Sequence, residues 1–100
     1  MISRQAFFNE AANTWDERFY TQELKNFLEK IVPKFDITKG QRILDVGTGT
    51  GVLIPFLLKA VGPTGYVTAI DYAERMIAIC KTKCAQYPNC LLYTSDAADE

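Results

Sequence analysis

An acidic residue followed by three alternate glycines is the part of this sequence best suited to bind a ligand. The apolar stretch 43–46 contains Asp45 and leads directly into Gly47, Gly49 and Gly51. Without a Cβ, such glycines allow a sharp turn and let a ligand lie against main-chain N–H groups. Glycines also serve ordinary tight turns, so the interpretation depends on the flanking elements. Placed after a buried strand, this loop is expected to hold a nucleotide-like cofactor.

A second acidic residue ends a second predicted strand. Residues 66–71 have the β-branched and aromatic content of a buried parallel strand, and they end in Asp71. Asp71 follows the glycine loop by about 20 residues, the spacing at which Rossmann-like folds place a ribose-binding carboxylate. We therefore expect Asp45 and Asp71 at the carboxyl ends of neighbouring strands, which is the edge of an open α/β sheet where ligands bind.

The loop spacing and the charge of Asp45 discriminate between cofactors. A dinucleotide fingerprint counted from Gly47 or from Gly49 requires a glycine where this sequence has Val52 or Ile54. Asp45 would also repel a pyrophosphate in a partly desolvated crevice. S-adenosylmethionine, which carries a sulfonium and an ammonium against one carboxylate, suits an acidic site better. An NAD-binding Rossmann oxidoreductase is the alternative, because it shares the acid after the second strand.

Together these motifs resemble those of the class I S-adenosylmethionine-dependent methyltransferases, especially the small-molecule group that includes ubiquinone and menaquinone methyltransferases. The resemblance extends over roughly residues 6–83. It implies a Rossmann-like α/β fold with a parallel sheet and flanking helices, of which only the N-terminal cofactor-binding half is present. It also implies methyl transfer to a small-molecule acceptor, although no catalytic residue can be named. A non-catalytic S-adenosylmethionine-binding module is a further alternative.

The same resemblance implies which residues bind the cofactor. Asp45 and the loop amides would hold the methionine part, the loop being Gly47, Thr48, Gly49, Thr50 and Gly51. Asp71 would chelate the two ribose hydroxyls. Tyr72 would lie against the adenine, and Met76, one helical turn further on, would close the adenine pocket.

Composition excludes several other classes of function. The chain has 100 residues, a net charge of −1 and 48% hydrophobic residues, so it is expected to be globular, with no basic face for nucleic acid. It has no apolar run of membrane-spanning length and no apolar secretory leader, which predicts a cytoplasmic location without membrane insertion. It has no histidine, and Cys80 and Cys84 are interpreted as buried helical thiols in preference to metal ligands. The oligomeric state is not encoded.

Hydrophobic periodicity predicts the elements that position the loop. An amphipathic helix is expected over 24–32, and a second, apolar on nearly all sides, from the glycine loop onward. A third helix over 73–85 would place Met76 inward and Lys81 and Lys83 toward solvent.

Three N-terminal aromatic residues, Trp15, Phe19 and Tyr20, have two interpretations. They would either form a lid that excludes water from the cofactor or anchor the N-terminal segment on the core. The anchor is favoured, so these residues are left outside the predicted site.

The end of the chain has an unusual origin in our interpretation. Residues 90–100 look like the translation of a transposon-derived adaptor used in sequencing-library preparation. Residues 1–89 would then be the N-terminal part of a methyltransferase domain, with a helical segment over 1–40 and a cofactor-binding βαβα unit over 41–89. The competing interpretation is a natural third strand followed by an acidic loop, and Asp96 is therefore not assigned to adenine.

A sheet of two or three strands would also leave the first strand as a bare hydrophobic edge. Such an edge invites pairing or aggregation, and a small domain buries only a modest fraction of its surface. The isolated chain is expected to express poorly or as a molten species.

Overall fold

The computed structural model describes residues 3–94, and from residue 42 onward strands and helices alternate as the sequence predicts. Three α-helices precede the sheet: α1 (Arg4–Ala11), α2 (Trp15–Phe19) and α3 (Gln22–Ile31). Two short 3₁₀ helices, Ala12–Thr14 and Val32–Phe35, follow α1 and α3. The sheet region follows the order β1 (Arg42–Val46), α4 (Ile54–Val61), β2 (Tyr66–Asp71), α5 (Glu74–Cys84) and β3 (Cys90–Thr94). Within this described part of the chain, no helix is long and apolar enough to cross a membrane.

The three strands form one parallel sheet in the order β1-β2-β3. Asp45 lies opposite Ala69 in the register between β1 and β2, and Asp71 is the last residue of β2. Both acids therefore lie at the carboxyl ends of adjacent strands. The predicted α/β architecture and the order of these strands are confirmed.

One face of the sheet carries the hydrophobic core. Val67 and Ala69 of β2 are fully buried and pack in a cluster with Ile54, Val61 and Cys80 from α4 and α5. On the alternate strand positions, Leu44 and Val46 are 60% and 68% exposed, and Leu91 and Tyr93 of β3 are 41% and 53% exposed. Successive residues of a strand point to opposite faces, so these side chains form an uncovered apolar face. The bare surface is thus broader than the edge predicted from the sequence.

The helix after the glycine loop begins later than predicted. Residues 51–53 form turns, and α4 starts at Ile54, with Pro55 in its first turn, where a missing N–H costs little. Gly47, Gly49 and Gly51 all have positive φ, which a right-handed helix cannot accommodate, so the helix cannot begin before residue 52.

Residues 90–94 are described as β3, which pairs in parallel with β2. This pairing is compatible with a third strand of either origin, natural or adaptor-derived. The rest of the predicted adaptor, including Asp96, lies outside the described residues.

Candidate functional site

The three loop glycines have left-handed backbone conformations, with φ of 72° at Gly47, 60° at Gly49 and 86° at Gly51. Their surroundings differ. A Cβ on Gly51 would lie 2.6 Å from the Cys80 sulfur, whereas a Cβ on Gly47 would meet nothing within 4 Å. Gly51 therefore allows the loop to pack on α5, and Gly47 leaves open space beside the main chain.

The loop is fastened to the end of β2 by its own amides. The N–H groups of Gly47 and Thr48 donate to the Ile70 carbonyl at 2.9 and 3.0 Å. The Gly51 N–H donates to the Thr48 carbonyl at 2.9 Å. Several amides assigned to a ligand from the sequence are thus engaged within the protein, and their role toward a cofactor stays a prediction.

Asp71 connects the glycine loop to the start of α5. The side chain is 8% exposed, and its two carboxylate oxygens accept hydrogen bonds from the N–H groups of Gly49 at 2.8 Å and Ala73 at 2.9 Å. Hydrogen bonds of this kind, from amides to a carboxylate, are among the stronger ones in proteins. Asp71 thereby fixes the shape of the loop from the predicted ribose position.

Asp45 lies in the same acidic region, and the Thr48 hydroxyl donates to its Oδ2 atom at 2.8 Å. Burial raises the pKa of Asp45, the Thr48 hydrogen bond opposes that rise, and the negative charge of Asp71 adds to it. The mutual influence of the two carboxylates indicates a site with negative potential, which favours a cationic ligand.

A cavity of about 180 Å³ lies where these elements meet. Its lining consists of Phe8, Trp15, Gly47, Gly49, Asp71, Tyr72 and Met76. Five of these residues were predicted from the sequence to bind the cofactor. Four residues that were also predicted do not line this cavity: Asp45 lies in β1, and Thr48, Thr50 and Gly51 lie in the adjoining loop.

Larger clefts elsewhere contain none of the predicted residues. One of about 560 Å³ lies between α1 and the start of α5, and another of about 500 Å³ lies against α4 beside Pro33 and Lys39. Size alone would select these surfaces, but the convergence of the glycine loop with a buried carboxylate is the stronger indication of a binding site.

Tyr72, which lines the cavity, also carries an unsatisfied polar group. Its hydroxyl is buried and has no hydrogen-bond partner among residues 3–94. Leaving such a group without a partner is costly, and most buried polar groups in proteins have one. This oxygen has almost no accessible surface, so the cavity is lined by other atoms of Tyr72.

Phe8 is a cavity residue that the sequence analysis missed. Its ring makes edge contacts with Trp15 and Tyr72, with ring centroids 5.8 and 6.0 Å apart. Nearby, the Gln5 side-chain amide donates to the Tyr72 carbonyl at 2.8 Å, and Asn9 accepts from the Arg75 N–H at 2.9 Å. These contacts hold α1 against the turn between β2 and α5. The aromatic residues of α1 suggested that this helix packs on the core, but the partner of Phe8, Tyr72, lies more than 60 residues away in the sequence.

The N-terminal aromatic residues were interpreted as either a lid over the cofactor or an anchor on the core, and the position of Trp15 is compatible with both. It packs beside Ala12 and Met76 and also lines the cavity. Phe19 packs against Trp15 with ring centroids 4.5 Å apart and ring planes tilted by 50°, and it is half exposed. Trp15 therefore lines the candidate cavity, although the sequence analysis left it outside the predicted site.

Asp16 links the N-terminal helices to both the glycine loop and α5. It accepts a hydrogen bond from the Thr50 hydroxyl and forms an ion pair with Lys83 at 2.8 Å. The prediction that Lys83 points to solvent is wrong: its side chain is 30% exposed, and its ammonium lies 4.8 Å from the centroid of the Tyr20 ring. A long aliphatic stem lets lysine run along the surface to a partner on another helix.

Cys80 and Cys84 are buried in α5, as predicted. Burial, and secondarily the neighbouring Cys84, raise the pKa of the Cys80 thiol to about 12, and burial also raises that of Cys84. Both therefore stay protonated at neutral pH. Across residues 3–94, no group of three or more histidine, cysteine or acidic side chains is placed to hold a metal ion.

Comparison with known proteins identifies the family. A methyltransferase-domain family matches residues 43–100. Demethylmenaquinone methyltransferase of Staphylococcus aureus (strain JH9) is 38% identical over 78 residues, covering 78% of this chain and 32% of that protein. This chain thus spans about a third of the length of the curated relatives it matches.

Solved structures agree in fold. A SAM-dependent methyltransferase from Aquifex aeolicus has a TM-score of 0.74 at 31% identity, covering 88% of this chain and 47% of that one. Fibrillarin from Aeropyrum pernix, solved with natively bound S-adenosyl-L-methionine, has a TM-score of 0.61 at 24% identity, covering 75% and 33%, and supports the fold alone. These matches favour the methyltransferase over the oxidoreductase alternative. The chain belongs to the methyltransferase-domain family and has the fold of the class I S-adenosylmethionine-dependent methyltransferases.

Proposed function

We propose that this chain forms the cofactor-binding part of an S-adenosylmethionine-dependent methyltransferase that acts on a small molecule. The observation that carries the proposal is the cavity in which Gly47, Gly49, Asp71 and Tyr72 meet. Family membership supports the activity, and the cavity lining supports the choice of cofactor.

The residues present fit this cofactor. Asp71 would bind the ribose, and Tyr72 and Met76 would contact the adenine, since all three line the cavity. Asp45 and Asp71 together give the site a negative potential that matches a net positive ligand.

When bound, S-adenosylmethionine supplies an electrophilic methyl group on its sulfonium. The described residues would orient the cofactor and exclude water. The glycine loop is held at the end of β2, and Phe8 and Trp15 line the cavity. Holding two reactants in line is worth up to about 7–11 kcal/mol of barrier reduction. No residue of this part is assigned as a general base.

A small-molecule acceptor is the finer part of the proposal. It is supported by the name of the S. aureus relative at 38% identity, whereas similar structures at 20–25% identity include protein and RNA methyltransferases. A net charge of −1 gives no electrostatic reason to choose a nucleic acid. A cytoplasmic location stays a prediction.

The test is titration calorimetry, in which S-adenosylmethionine, S-adenosylhomocysteine and NAD are each titrated into the full-length protein. We expect binding of the first two and none of NAD, with weaker binding in Asp71→Asn. Asp36→Asn is the matched control, because Asp36 is exposed and its positive φ of 57° suits asparagine equally well. NAD binding in preference to S-adenosylmethionine would overturn the proposal. Cofactor binding without methyl transfer to any small-molecule acceptor would favour the non-catalytic module instead.

A further inference from the structure

We infer that Asp16 is a positioning residue that fastens α2, and with it Trp15, beside the cavity; this inference rests on the proposed cofactor site. Asp16 does so through Thr50 and Lys83, and it thereby sets how long the cofactor stays bound. Asp16 lies outside the cavity lining, so this role is separate from direct contact with the cofactor.

Both oxygens of the Asp16 carboxylate are engaged by other elements. Oδ1 accepts from the hydroxyl of Thr50, which is 1% exposed, and Oδ2 pairs with the Lys83 ammonium at 2.8 Å. Thr50 belongs to the glycine loop and Lys83 to the last turn of α5. One side chain of α2 therefore joins the two elements that border the cavity.

Lys83 holds α2 at a second point. Its ammonium lies 4.8 Å from the centroid of the Tyr20 ring, just after the last residue of α2. A cation over an aromatic face is attracted to the ring electrons. Because Asp16 lies near the start of α2 and Tyr20 just beyond its end, Lys83 contacts both ends of this short helix.

The helix depends on such contacts for its position. It has five residues and no side-chain hydrogen bond at its N-cap, and isolated helices of this length are not stable in water. Trp15, next to Asp16, lines the cavity, and its Nε1 atom lies 3.9 Å from where a Cβ on Gly49 would be. Any displacement of α2 therefore moves a wall of the site.

The small size of the cavity makes entry and exit of the cofactor depend on the contacts of Asp16. At about 180 Å³ it is smaller than the roughly 300–1,000 Å³ of typical ligand sites. A cofactor of nucleoside size exceeds this volume, so in our proposal the side chains of Phe8 and Trp15, which line the cavity, move when it enters and leaves. Breaking the Asp16 contacts should make that movement easier.

The ion pair is only partly shielded, since the side chains of Lys83 and Asp16 are 30% and 35% exposed. Salt screens pairs of this kind. The rate of cofactor dissociation should therefore rise with ionic strength in the wild type and change less in variants that lack either charge.

The experiment is stopped-flow dissociation of S-adenosylhomocysteine from the full-length protein, combined with hydrogen exchange over residues 4–19. Asp16→Ala and Lys83→Met should increase the dissociation rate about three- to tenfold, as expected for loss of a partly exposed ion pair with an added hydrogen bond. Asp16→Asn should have a smaller effect, because its amide oxygen still accepts from Thr50. Lys83→Arg should restore the wild-type rate.

Lys25→Met is the matched control, because the Lys25 ammonium lies over the same Tyr20 ring at 4.6 Å but has no hydrogen bond to Asp16. Equal dissociation rates for wild type, Asp16→Ala and Lys83→Met would overturn the inference. Hydrogen exchange measured without cofactor tests the fastening by Asp16 separately from the proposed function. Failure of the wild type to bind the cofactor overturns the proposed function, whereas unchanged protection of residues 4–19 in Asp16→Ala overturns the fastening itself.

Discussion

The Oδ2 atom of Asp71 lies 2.8 Å from the amide nitrogen of Gly49 and accepts its hydrogen. The acid at the end of β2 therefore holds the loop that follows β1, across a separation of 22 residues. The same carboxylate lines the cavity, so it has a structural role as well as the proposed binding role. Substitutions at this position must be designed to separate the two.

Replacing Asp71 by alanine should weaken both cofactor binding and folding. The N–H groups of Gly49 and Ala73 would lose their acceptor, which should lower the free energy of unfolding by about 1–3 kcal/mol. Loss of a charged ribose ligand should raise the Kd for S-adenosylmethionine about 10- to 100-fold. Urea denaturation and titration calorimetry measure the two effects.

Asp71→Asn separates these effects, because the amide oxygen still accepts one of the two backbone hydrogen bonds. We expect a smaller loss of stability than in Asp71→Ala, together with a clear loss of affinity. Unchanged affinity in folded Asp71→Ala would remove Asp71 from the site.

Alanine at Gly51 should destabilise the protein more than alanine at Gly47. Both positions have positive φ, which costs an L-residue about 1–2 kcal/mol. At Gly51 the added Cβ would also meet the Cys80 sulfur at 2.6 Å, and overpacking adds about 1–3 kcal/mol. At Gly47 the added Cβ would have no heavy atom within 4 Å, but Gly47 lines the cavity. Cofactor affinity should therefore fall more than stability. Denaturation and calorimetry on both variants check this.

Gly40→Ala is the control for backbone strain alone, since its φ is 86° and its Cβ would make an ordinary contact at 3.5 Å with Thr64. Adding Cys80→Ala to Gly51→Ala should recover part of the lost stability by removing the overlapping sulfur. Equal destabilisation at Gly40, Gly47 and Gly51 would contradict the packing argument.

Local patterns predicted the frame of the site well. The bounds of β2 match the predicted 66–71, and α5 differs from the predicted helix by one residue at each end. These succeed because periodicity and turn residues act over short distances. The roles of Phe8 and Asp16 could not be predicted from such patterns. They depend on contacts with Tyr72 and Lys83, which lie more than 60 residues away in the sequence.

The stability contributed by Asp45 should depend on pH in a specific direction. Burial raises its folded pKa above the ordinary 3.8, so the folded state binds the proton more tightly than the unfolded state. The resulting stabilisation is fully present below pH 3.8 and is lost as the pH rises through the raised folded pKa. The free energy of unfolding of wild type minus that of Asp45→Asn should therefore fall over this interval.

Denaturant unfolding of both proteins at a series of pH values from acid to neutral measures this difference, in which the titrating groups that do not interact with Asp45 cancel. Asparagine is a suitable replacement, since its oxygen can still accept the Thr48 hydrogen bond. A difference that rises with pH would mean that ionised Asp45 is stabilised by its surroundings.

We propose that the natural sequence departs from this chain near Asn89. In the structure, Cys90 and Leu92 pack against the core while Leu91 and Tyr93 are exposed, so residues 90–94 satisfy the third-strand position. Resequencing the source locus is the measurement. We expect other codons after Asn89 that still encode an alternating apolar strand, and genomic codons for residues 90–100 would instead establish the natural-strand interpretation.

The uncovered apolar face should limit the solubility of the 100-residue chain. Leu44 and Val46 are the most exposed of its large apolar side chains, and contiguous apolar patches promote association. Threonine at both positions retains β-propensity while removing apolar surface, so the soluble fraction should rise and binding of a hydrophobic dye should fall. Phe35→Thr is the control, because Phe35 is half exposed but lies outside the sheet. A monomeric unmodified chain with a sharp, cooperative thermal transition would contradict this expectation, because the face would then be tolerated in water without a partner.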